Sequence, residues 1–147
     1  MRALGIDLGS KRIGIAVSNS DGTVATPVDV VARTRDRQAT HRAIAELVSE
    51  WEAEVVVVGV PYSLDGSIGP AAAAALEEVE PLRDTLAVPV ETYDERLTTV
   101  TAQRSITEMQ LSAGARRKVV DQIAAAVMLQ SWLDHRRSAL PPEDPHP

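Results

Sequence analysis

The chain has 147 residues, of which 44% are hydrophobic and 24% are charged, a composition that suits one globular domain with a packed core. The absence of cysteine excludes disulfides, thiol catalysis and cysteine-ligated zinc, and the net charge of −6 argues against a protein that coats nucleic acid nonspecifically. No apolar run approaches the ~20 residues that cross a bilayer, and the first residues lack a signal-peptide pattern, so we predict a cytoplasmic protein without membrane contact.

The first part of the chain predicts three antiparallel strands. A short apolar run at residues 3–8 is followed by a tight turn and by an alternating run at 12–19, which is typical of a hairpin. A second turn leads into an extended run at 23–31, where Pro27 favours the edge of a sheet because proline cannot donate a backbone hydrogen bond. The expected arrangement is an antiparallel meander.

The rest of the chain predicts helices that alternate with two buried strands. Apolar residues at helical spacing indicate the helices, and the β-branched run VVVVGV indicates a parallel strand buried on both faces. The predicted elements are helix 36–52, strand 55–60, helix 71–86, strand 88–94, a helix from Thr98 or Thr99 to Met109, and a last helix that ends near Arg137. The tail 139–147 is rich in proline and is expected to be disordered, which leaves a single domain over residues 1–138.

The order βββ-α-β-α-β-α-α predicts an α/β fold. Three antiparallel strands followed by parallel ones form a mixed five-stranded sheet, and right-handed crossovers place helices on both of its faces. The first strand is expected to be central, with the fourth and fifth strands extending the sheet on one side of it.

Three acidic residues on three different elements are candidates for one shared site. Asp7 lies within the first strand, Glu95 just past the fifth, and Asp121 near the start of a last helix that is apolar almost all round. Each alone has an ordinary explanation as a strand end, a solvated loop or a charge near a helix start. In the expected sheet they meet at one crevice, where a divalent cation such as Mg²⁺ or Mn²⁺ relieves the mutual repulsion of the carboxylates.

Several basic residues are candidates for contacts to nucleic-acid phosphates, which carry affinity and register but no sequence information. Solvated surface charge is the alternative for each cluster. The glycine-containing loop 64–69 before a helix is either a further anion site or a conformational feature, and the three histidines are interpreted as surface residues. The candidate phosphate ligands are Lys11, Arg12 and Arg96, together with Arg116, Arg117 and Lys118, which immediately precede the predicted last helix.

Four motifs, in order along nearly the whole chain, carry a family resemblance. They are GIDLGSKRIGIAVSN, VVVVGVPYSLDGSIG, DERLTT and VVDQIAAAVMLQSWL, and together they resemble the YqgF/RuvX family of ribonuclease H-like nucleases. The resemblance implies Asp7, Glu95 and Asp121 as the catalytic and metal-binding set, and it selects Glu95 over Asp94, which strand alternation leaves open. It also implies that water activated by Mg²⁺ or Mn²⁺ hydrolyses a phosphodiester, without a protein nucleophile.

The resemblance leaves two nucleic-acid substrates open. The function that we predict is processing of the 5′ end of pre-16S ribosomal RNA in ribosome biogenesis, on a structured RNA precursor and by a protein that can act as a monomer. The alternative is resolution of Holliday junctions, branched DNA of recombination and repair, which favours a homodimer because two symmetric strands are cut.

Two further functions are weighed against the nuclease. GIDLG also resembles the first phosphate-binding loop of the actin/Hsp70-like superfamily, whose members clamp a nucleotide between two such domains, whereas this chain has room for one. A non-catalytic adaptor with the same fold is the other alternative, and the presence of all three acids argues against it.

Overall fold

A single five-stranded sheet lies at the centre of the structure, a computed structural model that describes residues 1–98 and 116–139, with side chains for 1–98 and 123–138. The strand order is β3-β2-β1-β4-β5, with β1–β2 and β2–β3 antiparallel and β1–β4 and β4–β5 parallel. The strands are β1 (Ala3–Leu8), β2 (Arg12–Ser18), β3 (Ala25–Ala32), β4 (Val55–Val60) and β5 (Val90–Asp94). The predicted mixed sheet with a central first strand is confirmed.

Helices pack against both faces of the sheet. They are α1 (Arg37–Glu50), α2 (Pro70–Thr85) and α3 (Arg116–Ala139), and a 3₁₀ turn (Glu95–Leu97) follows β5. α1 begins where the side chain of Asp36 accepts the backbone N–H of Gln38 at 3.0 Å, and α2 begins at a proline, which suits a first helical turn. No helix in the described part of the chain has the length and apolar character that a bilayer span requires.

Two predictions concern the C-terminal part of the chain. The expectation that residues 116–118 precede the last helix is wrong, because α3 begins at Arg116 and these three residues form its first turn. The predicted helix that ends at Met109 lies outside the described residues, as do residues 140–147 of the predicted tail.

Alternation along the strands divides the core into two layers. Leu4 and Ile6 of β1 pack under α1 and α2, whereas Ala3 packs under α3. Because residues two apart on a strand point to the same face, Asp7 shares the α3 face of the sheet with Ala3 and Gly5.

α3 approaches β1 closely because Gly5 has no side chain. A Cβ at Gly5 would lie 2.8 Å from the Cβ of Leu129 and 3.3 Å from the carbonyl oxygen of Ala125. Near the start of β1, a Cβ at Gly22 would lie 3.3 Å from the carbonyl oxygen of Met1 and 3.9 Å from Leu133. α3 therefore runs antiparallel to β1, and its first turns lie towards the end of β1 that carries Asp7.

A buried ionic cluster links the β1–β2 turn to α1 and α2. Arg33 donates to both carboxylate oxygens of Glu78, at 3.0 and 2.7 Å, and its Nε donates to the carbonyl of Gly9 at 2.7 Å. His41 is 1% exposed, and its Nε2 lies 2.7 Å from Oε2 of Glu78. The interpretation of His41 as a surface residue is wrong, because Glu78 gives the ring a partner inside the protein.

The charges of this cluster favour the ionised form of Glu78. Burial raises the pKa of this carboxyl, but the hydrogen bonds and positive charges of Arg33 and His41 outweigh burial and hold the pKa below its usual value.

We expect Glu78→Ala to lower the free energy of unfolding by about 2 kcal/mol at pH 7, because it leaves buried His41 and half-buried Arg33 without the carboxylate that they share. Urea denaturation measures this change. Glu77→Ala is the matched control, since Glu77 is exposed and its nearest basic group, on Arg37, is 3.9 Å away. Equal losses in the two variants would contradict a stabilising role of the cluster.

Candidate active site

Two carboxyl groups meet at the edge of the sheet where β1, β4 and β5 end. Asp7 lies near the end of β1, and Glu95 is the first residue of the 3₁₀ turn after β5. Their side chains approach each other closely enough for the charge of Asp7 to raise the pKa of Glu95, although β4 lies between their strands. Adjacent strands are about 4.8 Å apart, so the side chain of Glu95 has to pass over β4 to reach Asp7.

Gly59 of β4 makes this path available. A Cβ at Gly59 would lie 2.5 Å from Oε1 of Glu95 and 3.1 Å from its Cγ, and the Cγ of Met128 on α3 would also be 3.1 Å away. The Glu95 side chain therefore occupies the space that a side chain at position 59 would fill. A glycine inside a run of β-branched residues, such as Gly59 in VVVVGV, is a sequence signal of a close approach. The interpretation of this run as a buried strand did not take account of that signal.

The pair holds a proton near neutral pH. Burial raises the pKa of Glu95 to about 7, and the negative charge of Asp7, the hydrogen bond between the two groups and the charge of Asp94 act in the same direction. A carboxyl group beside a second carboxylate keeps its proton to a higher pH than one in open solvent. A divalent cation at this position would take the place of that proton.

The metal-free protein is expected to lose stability as the pH rises from about 4.5 to about 7. Because the pKa of Glu95 is higher in the folded state than in the unfolded state, the folded state binds more protons in this window, and the free energy of unfolding falls with pH. The loss is roughly 2 kcal/mol, less than the full shift implies because Glu95 is partly open to solvent. Urea denaturation in EDTA measures it.

The control for this pH dependence is Glu95→Gln, which should flatten the slope between those pH values. Glu91→Gln makes the same change at an exposed position of β5 and should keep the wild-type slope. The same slope in Glu95→Gln and wild type would contradict the shared proton.

The neighbours of Glu95 have a different role. Asp94 accepts the backbone N–H of Arg96 at 2.9 Å and binds the Arg96 guanidinium, with a shortest contact of 2.6 Å. These hydrogen bonds hold the pKa of Asp94 below its usual value and raise the pKa of Arg96. The guanidinium also donates to the carbonyl of Leu64 at 3.4 Å, so Arg96 links the turn to loop 64–69.

The other predicted phosphate ligands lie on two elements. Lys11 and Arg12 are exposed where the β1–β2 turn enters β2. Arg116, Arg117 and Lys118 lie on the first turn of α3, and their side chains are outside the described residues. In loop 64–69, hydrogen bonds from Ser67 hold the pKa of Asp65 below its usual value, which adds a negative charge beside the proposed anion site. The phosphate contacts stay predictions.

Asp121 lies in the second turn of α3, and its side chain is outside the described residues. Because α3 runs antiparallel to β1, the backbone of this turn lies towards the end of β1 that carries Asp7. Asp121 is also about two helical turns before Met128, the residue beside Glu95, so the two positions share one face of α3. Its membership of the site stays a prediction.

The residues present fit a hard divalent cation. Mg²⁺ and Mn²⁺ prefer carboxylate oxygens, and Asp7 and Glu95 supply two such groups in contact. Among the described side chains no group of three or more acidic or histidine residues forms a metal cluster. A third carboxylate would come from Asp121.

Comparisons with known proteins identify the family of this chain. A protein-family model described as RuvX, Holliday junction resolvase, matches residues 1–135, which include the three predicted acids. A relative named "Putative pre-16S rRNA nuclease" from Mycobacterium sp. (strain KMS) is 50% identical over 140 residues, covering 95% of this chain and 83% of the relative. A relative of the same name from Myxococcus xanthus (strain DK1622) is 45% identical over 147 residues, covering 100% and 95%.

Two solved structures share the fold. RuvC of Thermus thermophilus in complex with a Holliday junction substrate has a TM-score of 0.58 and 16% identity, covering 95% of this chain and 97% of that one. A second structure of RuvC from Thermus thermophilus has a TM-score of 0.59 and 17% identity, covering 94% and 97%. At this identity the likeness shows the fold, and the predicted ribonuclease H-like architecture is confirmed.

Proposed function

The chain belongs to the RuvX family, and we propose that it is a metal-dependent nuclease that hydrolyses phosphodiester bonds at a site formed by Asp7, Glu95 and Asp121. The observation that carries this proposal is the path of the Glu95 side chain across β4 towards Asp7, through the space left by Gly59. Two half-buried carboxyl groups beside each other destabilise each other's charge, and a bound divalent cation would relieve that repulsion.

Each residue of the site has a role that follows from its position. Asp7 is on the central strand, which is paired on both sides, and would hold the cation. Glu95, in its ionised form, and Asp121 would complete the ligand set. A bound Mg²⁺ or Mn²⁺ supplies activation of water and neutralisation of charge on the phosphate. Lys11 and Arg12, on the turn after Asp7, hold the nucleic-acid backbone beside the site.

The proposed substrate is the 5′ end of pre-16S ribosomal RNA, supported by the names of the curated relatives. A Holliday junction is the second candidate, because the family description names a junction resolvase. The nucleotide-binding alternative has GIDLG and the topology in its favour, but the family match and the names of the relatives support a nuclease.

The test compares cleavage of three labelled substrates, which are a pre-16S RNA with its 5′ extension, a four-way DNA junction and a linear duplex. Each is incubated with wild type, Glu95→Gln or Asp121→Asn, with Mg²⁺, with Mn²⁺ and with EDTA. We expect cation-dependent cutting of the RNA precursor by wild type and no cutting by either variant. Preferred and symmetric cutting of the junction would instead select the resolvase and predict a homodimer.

Glu91→Gln is the matched control, since it makes the same change on β5 at an exposed position and should retain wild-type cleavage. Cleavage by wild type in EDTA, or undiminished cleavage by Glu95→Gln, would contradict the proposed site.

A further inference from the structure

A buried chain of hydrogen bonds lies beside the turn that carries Glu95. Oη of Tyr93 is hydrogen-bonded to Nδ1 of His135 and lies 2.7 Å from Oγ of Ser131. Oγ of Ser131 donates to the carbonyl oxygen of Leu97 at 2.9 Å. Ser131 is 0% exposed and Tyr93 is 8% exposed, so water has little access to the middle of this chain. We call these four groups the Tyr93 relay.

The number of hydrogens fixes the direction of the relay. A hydroxyl carries one hydrogen, and Ser131 donates its hydrogen to the carbonyl oxygen of Leu97. The Ser131 hydroxyl therefore accepts a hydrogen bond from the Tyr93 hydroxyl. Because Tyr93 donates its one hydrogen to Ser131, its oxygen accepts a hydrogen bond from His135. Nδ1 of His135 therefore has to carry a hydrogen. The relay therefore runs from His135 through Tyr93 and Ser131 to the carbonyl of Leu97.

The end point of the relay lies in the turn that carries the catalytic glutamate. Leu97 closes the 3₁₀ turn that begins at Glu95, and the N–H of Thr98 donates to the carbonyl of Glu95 at 3.2 Å. Ser131 lies one helical turn after Met128, which packs beside the Glu95 side chain at Gly59. The turn is thus fastened to α3, the helix on which Asp121 also lies.

We propose, on the basis of the proposed nuclease function, that the Tyr93 relay positions Glu95 relative to α3 and that His135, Tyr93 and Ser131 are positioning residues. The hydrogen bond from Ser131 fixes the carbonyl of Leu97 and thereby the 3₁₀ turn. The turn in turn positions the Cα and Cβ of Glu95 beside Gly59. Because a ligand displaced by about 1 Å can lower turnover by as much as a hundredfold, these contacts are expected to act on kcat.

The direction of the relay allows a test with an isosteric pair at position 135. Asparagine places an amide donor near the location of Nδ1, whereas aspartate of the same shape only accepts. We expect His135→Asn to keep kcat within about twofold of wild type and His135→Asp to lower it by about tenfold, with KM unchanged in the first variant. Position 135 is exposed, so both variants fold.

The control for the added charge is the pair Ser138→Asn and Ser138→Asp, at an exposed position of the same last turn outside the relay. Repulsion of nucleic acid by a new carboxylate raises KM in both aspartate variants, but only His135→Asp should lower kcat. Equal kcat values in His135→Asn and His135→Asp would overturn the proposal.

Ser131→Ala provides a second test, because alanine suits the helix and removes both links of the serine. We expect kcat of Ser131→Ala to fall about tenfold with KM unchanged. The double variant Ser131→Ala/His135→Asp should have the same kcat as Ser131→Ala, because both residues act through the same chain of hydrogen bonds. Wild-type kcat in Ser131→Ala, or multiplied losses in the double variant, would overturn the relay.

Hydrogen exchange at the Thr98 amide separates this proposal from the nuclease function. The amide should exchange about tenfold faster in His135→Asp than in His135→Asn, whatever the substrate, because the turn is less firmly held. A wild type without nuclease activity would count against the proposed function, and the exchange rates would still decide the relay. Equal exchange rates would count against the relay and leave the proposed function untouched.

Discussion

Asp7→Asn should lower cleavage by about a thousandfold at saturating Mg²⁺ or Mn²⁺, because a central anionic ligand contributes about 4 kcal/mol of transition-state stabilisation. The same change should leave the metal-free protein as stable as wild type or more stable. Asp7 faces Glu95, and replacing one of two neighbouring carboxyl groups by an amide removes their repulsion. Single-turnover cleavage and urea denaturation in EDTA measure the two effects.

The opposite signs of these effects make the experiment informative. Substitution of a residue that stabilises the fold lowers both the activity and the free energy of unfolding. Substitution of a metal ligand that is repelled by a neighbouring carboxylate lowers the activity alone. Asp84→Asn is the control, since Asp84 is exposed near the end of α2 and should change neither quantity. Marked destabilisation of Asp7→Asn in EDTA would indicate a structural role for Asp7.

The fold could be predicted from the sequence because each element has a strong local signal. Continuous β-branched residues mark β4, and Pro27 lies on the edge strand β3, as predicted. One feature went unrecognised because it depends on a partner distant in sequence. His41 is buried because Glu78 comes to it from another helix. A single-sequence pattern contains no information about such partners.

The site could be predicted only in part. Motif resemblance indicated Asp7 and Glu95, and the structure brings these two together, but strand alternation could not choose between Asp94 and Glu95. The reason is that β5 is flanked by core on both faces, with Val90 in one layer and Tyr93 in the other. Once Tyr93 is known to face α3, the next residue on that face is Glu95.

Gly59→Ala should lower cleavage by about a hundredfold although it adds a single methyl group at a buried position. The new Cβ would lie 2.5 Å from Oε1 of Glu95, so the side chain has to leave its path across β4 and lose its contact with Asp7. Its pKa should then move back towards the value of a free glutamate, because the burial and the neighbouring charge that raise it are both reduced. Single-turnover cleavage measures the first effect, and the pH dependence of unfolding in EDTA measures the second.

Val57→Ala separates this effect from a general loss of packing. Val57 is fully buried two residues earlier on the same strand and the same face, so its truncation should lower the free energy of unfolding by about 2 kcal/mol. It leaves the path of Glu95 open, and cleavage below the melting transition should stay near wild type. If Gly59→Ala cleaves as well as Val57→Ala, Glu95 does not need to cross β4, and the pair with Asp7 is not the site of the chemistry. If only Gly59→Ala is inactive, then the active site requires a glycine at position 59, where the Glu95 side chain crosses β4.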